Sequence, residues 1–409
     1  MARAPAIYAY DVPSCARNEA VEALSSPTSG LRESEELHVR GMLQQIVSIE
    51  DHLDRYHRVD RPEAASLFWV PAYFPVLFWL DQRTPEPNAS HLQCVRDVVT
   101  TLQQSRYFSR NAGYDHLLLY GYEYPHWKRF RHLVLDSYSP FLGNAILVSV
   151  SLWNQGRRSS LLDAGLYQLL RVVPVPYFAR YDCGQEEAML SATRRFVVSF
   201  AGSIKDKPPY FVFRERLLVA GAAGRPDMKD ERLLIQVFDA HEEARYRFAR
   251  DYEAERLALY VDSVFCLAMP GDGNTAGRLF DAMVRGCIPA LMFHPDSYPV
   301  LPFVAWIPWN EFAMVFPIES EDDAATALHS LLATSEEDRQ MRRKRTLQYA
   351  PMISLALQNC PEQITGALDL VSKELKEKVG LLNSALAGLR IAAPPADESH
   401  WLRWGPSHA

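Results

Sequence analysis

SVFCLAMPGDGNTAGRLFDAMVRGCIPALMF, running from Ser263 to Phe293, carries the plan of the whole chain in one stretch. It opens with SVFCLAM, an apolar run with the length and composition of a strand covered on both faces. PGDGNTAG interrupts that run with turn-forming residues. GRLFDAMVR then takes up a helical period: Leu279 and Met283 share an apolar side, while Arg278, Asp281 and Arg285 line a polar stripe. CIPALMF is a second apolar strand. Strand, glycine turn, helix and strand make the repeating unit of a parallel sheet. Small residues in the turn let backbone approach a ligand, and free N–H groups at a helix start attract phosphate. The turn matches neither GxGxxG nor a P-loop, so on spacing alone the stripe reads equally as a ligand cluster and as a solvated ion pair.

The same alternation extends outward. Upstream, FVVSFAG ends at Gly202, SIKDKPP follows, and a helix is expected through FRERLLVAG. LLIQVF is a further strand, with helices expected around Glu242–Leu259 and Ala276–Arg285. Earlier still, IYAYDV, SLFWVPAY, DHLLLYGY, AILVSV and RVVPVPYF read as short strands. Between them, Leu37, Met42, Ile46, Ile49 and Leu53 mark one amphipathic helix, and HLQCVRDVVTTLQQS another. Two α/β rounds predict two Rossmann-like domains, residues 1–190 and 191–345. Residues 346–409 are expected to form helices and a tail that pack back on the first domain.

Bulk properties exclude several classes. The chain has 409 residues, 48% hydrophobic and 23% charged, with a formal net charge of −7, enough apolar content for real cores. An acidic balance without a long basic block argues against nucleic-acid partners. Six scattered cysteines form no CxxC pair and no Cys/His cluster, so no metal site is expected. Disulfides are open on the even count; Cys266 and Cys287, in apolar runs, read as buried thiols. The basic run Arg339–Arg345, with MRRKR in it, reads as a solvated helix face. MARAPAIYAYDVP has no apolar stretch long enough for a signal peptide or an anchor.

The Ser263–Phe293 block resembles the signature of the exostosin glycosyltransferase family: Ser-x-Phe-Cys-Leu-x-Pro, a Gly-Asp turn, Arg-Leu-x-Asp/Glu-Ala and Gly-Cys-Ile-Pro. Four more blocks follow the family's order: IYAYDVP, RPEAASLFWVPAYFPVL, NAGYDHLLLYGYEYPHW and FVVSFAGSI. Together they span about residues 6 to 320. The resemblance implies the glycosyltransferase-B architecture, two Rossmann-like domains facing each other across a cleft, and an inverting transfer from a UDP-sugar to a glycan hydroxyl. It implies no required cofactor and no bound metal, the UDP-sugar being a co-substrate. Arg278 and Asp281 would be donor-site residues, Arg278 neutralising the diphosphate. Gly202, Ser203 and Lys205 would form a second phosphate-facing loop, and Gly271, Asp272 and Gly273 the turn beneath the nucleotide. The family more often has arginine where this chain offers Lys205 and Lys207, which loses bidentate geometry.

Inversion needs a base for the acceptor proton. Asp115 and His116, opening DHLLLYGYEYPHW, are the candidates the resemblance supports; the alternative for His116 is a structural histidine beside a buried strand. Tyr122, Glu123 and Trp127 are acceptor-side candidates, set against ordinary loop packing. A catalytically inactive subunit that scaffolds an active transferase is the competing class, and a homo- or hetero-dimer is open. The family implies the Golgi lumen where a leader or anchor has been removed; otherwise the reading is a soluble intracellular protein.

Overall fold

The computed structural model of the protein describes residues 5–17, 33–74, 89–111, 113–120, 145–150, 172–203, 232–238, 250–270, 275–295 and 299–388. Its first sheet contains β1 (Ile7–Ala9), β2 (Leu67–Val70), β3 (His116–Tyr120), β4 (Ile146–Ser149) and β5 (Val172–Pro174). All neighbours are parallel, in the plain order β1-β2-β3-β4-β5. Every residue of β2 and β4 is buried, which explains why LFWV and ILVS show no alternation. Helix α1 (Glu33–His57) turns Ile46, Ile49 and Leu53 into the core at helical spacing. Helix α2 (Ala89–Gln104) does the same with Val95, Val98, Val99 and Leu102.

A short strand β6 (Arg180–Asp182) leads to the second sheet, built from β7 (Phe196–Ser203), β8 (Leu233–Phe238), β9 (Ser263–Ala268), β10 (Ile288–Phe293) and β11 (Met314–Pro317). Helix α3 (Arg250–Val261) precedes β9, and α4 (Gly277–Met283) joins β9 to β10. This sheet is also parallel, but its order is β11-β10-β9-β7-β8. The chain moves from β7 outward to β8, then returns to the other side of β7 for β9. Strand order therefore reverses between β7 and β9, and the crevice beyond their carboxyl ends is where such sheets bind ligands. Two helix-covered parallel sheets of this kind form the expected glycosyltransferase-B architecture.

Arg194, just ahead of β7, locks this sheet to its helices. Its guanidinium donates to the carbonyls of Tyr260 (2.7 Å), Ser263 (2.8 Å) and Arg285 (3.0 Å). Burial, with the charge of Arg343 nearby, pulls its pKa down to about 9.

After α5 (Glu321–Ala333) and α6 (Glu336–Tyr349), the chain forms β12 (Ala356–Gln358), which pairs with β6, and then α7 (Ala367–Gly388), which packs against α1 and β5. Two sequence expectations are corrected here. Cys266 and Cys287 are buried but are not thiols: they form a disulfide, as do Cys15–Cys94 and Cys183–Cys360. The run Arg339–Arg345 is not a solvated face throughout. Arg343 is buried and donates to the Ala192 carbonyl, because α6 lies in contact with the segment before β7. Arg342 pairs with Asp338 at 2.9 Å. The helix expected through FRERLLVAG and the carboxyl-terminal tail lie outside the described residues. Among the described residues, no helix is long and apolar enough to cross a membrane.

Candidate active site

Three features meet at the carboxyl end of β7. The first is the end of β7, where Ser203 pairs with Phe238 and Gly202 with Val237. The second is Phe200, fully buried one turn of the pleat earlier. The third is Arg278 on α4, whose guanidinium lies 5.1 Å from the centre of the Phe200 ring. These fit together only because residue 202 is glycine. A Cβ there would stand 2.6 Å from Phe200 Cζ and 2.9 Å from Arg278 Nη1, closer than real Cβ atoms come. Gly202 and Arg278, 76 positions apart, are thus packed against each other at the switch point.

Asp281, on the same helix, is engaged from the side. Its Oδ2 receives the guanidinium of Arg256, on α3, at 3.0 Å. Burial pushes the Asp281 carboxyl up, opposed first by Arg256 and then by Arg285 and Arg278. The carboxylate is thus in direct contact with Arg256 and within electrostatic reach of Arg285 and Arg278. Helix α4 has seven residues and no side-chain cap at Ala276, so side-chain charge rather than a long helix dipole is what this end offers. The stripe also stops short of its expected length: Arg285 lies beyond the last helical residue, Met283.

The first sheet reaches this site through the loop after β5. The Tyr177 hydroxyl donates to the Thr275 carbonyl at 3.4 Å, and its ring stands 3.6 Å from where a Cβ on Gly277 would be. Gln45 on α1 donates to the Pro176 carbonyl at 2.8 Å, tying that loop to the first sheet's helix. Deeper in the first unit, Glu50 on α1 is buried and accepts from Arg17 and the Tyr73 hydroxyl. Burial holds its carboxyl above the usual range.

Asp115 and His116, the sequence's candidates for the base, lie elsewhere. They lie at the amino end of β3, opposite to the edge where parallel sheets bind ligands. Both are sealed, at 1% and 0% exposure. His116 Nδ1 donates to Asp115 Oδ1 at 2.8 Å, while Arg110 (3.0 Å) and Asn111 (2.6 Å) donate to Oδ2. His116 Nε2 then accepts from the Tyr10 hydroxyl at 2.9 Å, and the ring stacks on Phe68. Burial pushes the Asp115 carboxyl up, but these donors outweigh it and hold it below its ordinary value. Burial lowers the His116 pKa. The pair is a satisfied polar core.

The Exostosin GT47 domain matches residues 1–332 of the chain. The chain belongs to the exostosin GT47 family. Its relatives include the xyloglucan-specific galacturonosyltransferase 1 of Arabidopsis thaliana, 25% identical over 59% of this chain and 34% of that protein. A probable xyloglucan galactosyltransferase of the same plant is 25% identical over 59% of this chain and 40% of its own length. The chain therefore spans less than half of these two relatives. A probable glucuronosyltransferase of Oryza sativa subsp. japonica is 28% identical over 78% of this chain and 69% of that protein. Among solved structures, an O-GlcNAc transferase mutant of Thermobaculum terrenum aligns with a TM-score of 0.41 at 11% identity, covering 94% of this chain and 69% of that one.

In this exostosin GT47 chain, Gly202 and Arg278 are packed together, with Ser203 closing β7, and Asp281 follows three positions after Arg278 on α4, paired with Arg256. Lys205, Gly271, Asp272, Gly273, Tyr122, Glu123 and Trp127 lie outside the described residues. Sequence reasoning missed Arg256, Phe200 and Tyr177. Phe200 and Tyr177 sat inside runs read as plain strands. Arg256 sits in DYEAERLALY, where nothing local separates it from any exposed helical arginine.

Proposed function

We propose that this chain is a glycosyltransferase that moves a sugar from a UDP-sugar to a hydroxyl of a glycan acceptor with inversion. Residues 191–345 would hold the donor and residues 1–190 the acceptor. The observation that carries this reading is Arg278, lying over Phe200 against Gly202 at the switch point of the second sheet. In the reaction, the acceptor oxygen attacks the anomeric carbon and the bond to the β-phosphate oxygen breaks. UDP leaves with the electron pair, and the acceptor proton passes to a base. Arg278 supplies positive charge where the diphosphate gains negative charge, without needing a metal ion for that task. The names of the relatives suggest galactose or a hexuronic acid as the transferred sugar and a polysaccharide as acceptor. Three disulfides support an oxidising compartment such as the Golgi lumen.

UDP binding to the full chain, measured by calorimetry and by thermal shift, tests the donor reading. Wild type is expected to bind and to gain stability. Arg278→Ala is expected to weaken binding by about 10- to 100-fold, the worth of a charge-assisted hydrogen bond. Equal UDP affinity in both proteins overturns the assignment. A panel of UDP-hexoses and UDP-hexuronates then identifies the sugar by the largest stabilisation.

A further inference from the structure

Asp281 stands three positions after Arg278 on a common helix, a spacing at which a carboxylate and a guanidinium can meet. Its Oδ2 is instead held from outside by Arg256 of α3 at 3.0 Å. The pair is built in: the two side chains are only 21% and 20% exposed. Helix α3 packs on α4 and also on β9, so Arg256 is carried by the same layer that supports the site. Arg278, on the same helix, lies over Phe200 and beside Gly202.

We infer that Arg256 is a positioning residue for a nucleoside diphosphate: by holding Asp281 from α3, it keeps that carboxylate from drawing Arg278 away from the end of β7. The inference rests on the donor reading above. Two consequences follow from charge alone. With Arg256 present, Asp281 is balanced and the charge of Arg278 faces the anion. With Arg256 removed, the partly buried carboxylate needs another cation, and Arg278 and Arg285 are the groups whose charges already reach it. An arginine recruited in that way would leave its place over Phe200, and the site would lose one positive charge to internal pairing.

UDP is the probe, and the full chain is the protein tested. Arg256→Ala is expected to weaken UDP binding about tenfold. Arg256→Lys should recover part of the loss, since a lysine restores charge but not the planar guanidinium. The deciding variant is Arg256→Ala combined with Asp281→Asn. Removing the carboxylate charge removes the competitor, so the double variant should bind UDP more tightly than Arg256→Ala alone. Circular dichroism and the melting midpoint verify that each variant is folded. A double variant no better than Arg256→Ala overturns the inference, because a merely structural ion pair would show no such rescue. Arg256→Ala binding UDP like wild type, while Arg278→Ala has lost it, also overturns the inference and leaves the donor reading standing. Failure of wild type to bind UDP overturns the donor reading and this inference with it.

Discussion

At Gly202 the missing side chain is what allows Phe200 and Arg278 to meet. The added methyl of Gly202→Ala falls inside contact distance of both, so the buried Phe200 ring or the Arg278 guanidinium must shift. We expect this variant to lose about 1–3 kcal/mol of stability, the usual cost of overpacking. It should also lose UDP affinity, because Arg278 is the more movable of the two. An unchanged melting midpoint together with unchanged UDP binding would show that the two side chains rearrange at no cost. His116 teaches the opposite lesson at the same scale. A histidine and an aspartate in sequence suggest acid–base chemistry, yet Tyr10, Arg110 and Asn111 occupy their polar atoms.

Between elements, the contact of α1 with α7 turns on one hydroxyl. Ser372 Oγ lies 2.9 Å from His52 Nε2 and 2.7 Å from His57 Nε2. The Pro5 carbonyl, 3.1 Å from His57 Nδ1, can only accept, so that nitrogen carries the hydrogen and His57 Nε2 accepts from Ser372. His52 Nε2–H then donates to the same oxygen. The arrangement uses both rings neutral. Burial lowers the pKa of each, and for His52 the neighbouring His57 lowers it further, with Arg55 acting the same way and Asp369 against. A histidine with a lowered folded pKa takes up protons more readily when unfolded. Its contribution is therefore whole above the unfolded value of about 6.5 and is lost as pH falls from there toward the folded values. We expect the melting midpoint of wild type to fall between about pH 7.5 and 5.5, and the fall to be smaller in His52→Gln combined with His57→Gln. Identical slopes for the two proteins would refute the sign worked out here.

Over the whole molecule, disulfides join parts distant in sequence. Cys183–Cys360 spans 177 residues and ties the β6–β12 pair together, while Cys15–Cys94 fastens the loop after β1 to α2. No cysteine is free. Protein denatured without reductant should therefore take up no iodoacetamide, and after reduction all six cysteines should be alkylated. Replacing Cys183 and Cys360 together by serine is expected to cost about 2–5 kcal/mol through the freed loop of the unfolded chain.

The sequence by itself determined the elements and their alternation, because periodicity and turn chemistry act over a few residues. The apolar runs became buried strands, and Ile46, Ile49 and Leu53 became the inner face of α1. The block from Ser263 to Phe293 also singled out Arg278 and Asp281 from local pattern and family likeness. Only the tertiary structure decided which strands neighbour one another, and so where order reverses between β7 and β9. It also decided that Asp281 pairs with Arg256, that Cys266 and Cys287 are joined, and that Asp115 and His116 are sealed away from the ligand edge. The physical reason is the range of the interactions. Hydrophobic period and backbone preference are properties of adjacent residues, whereas pairing, burial and the pKa of a side chain depend on partners that only the folded path of the chain brings near.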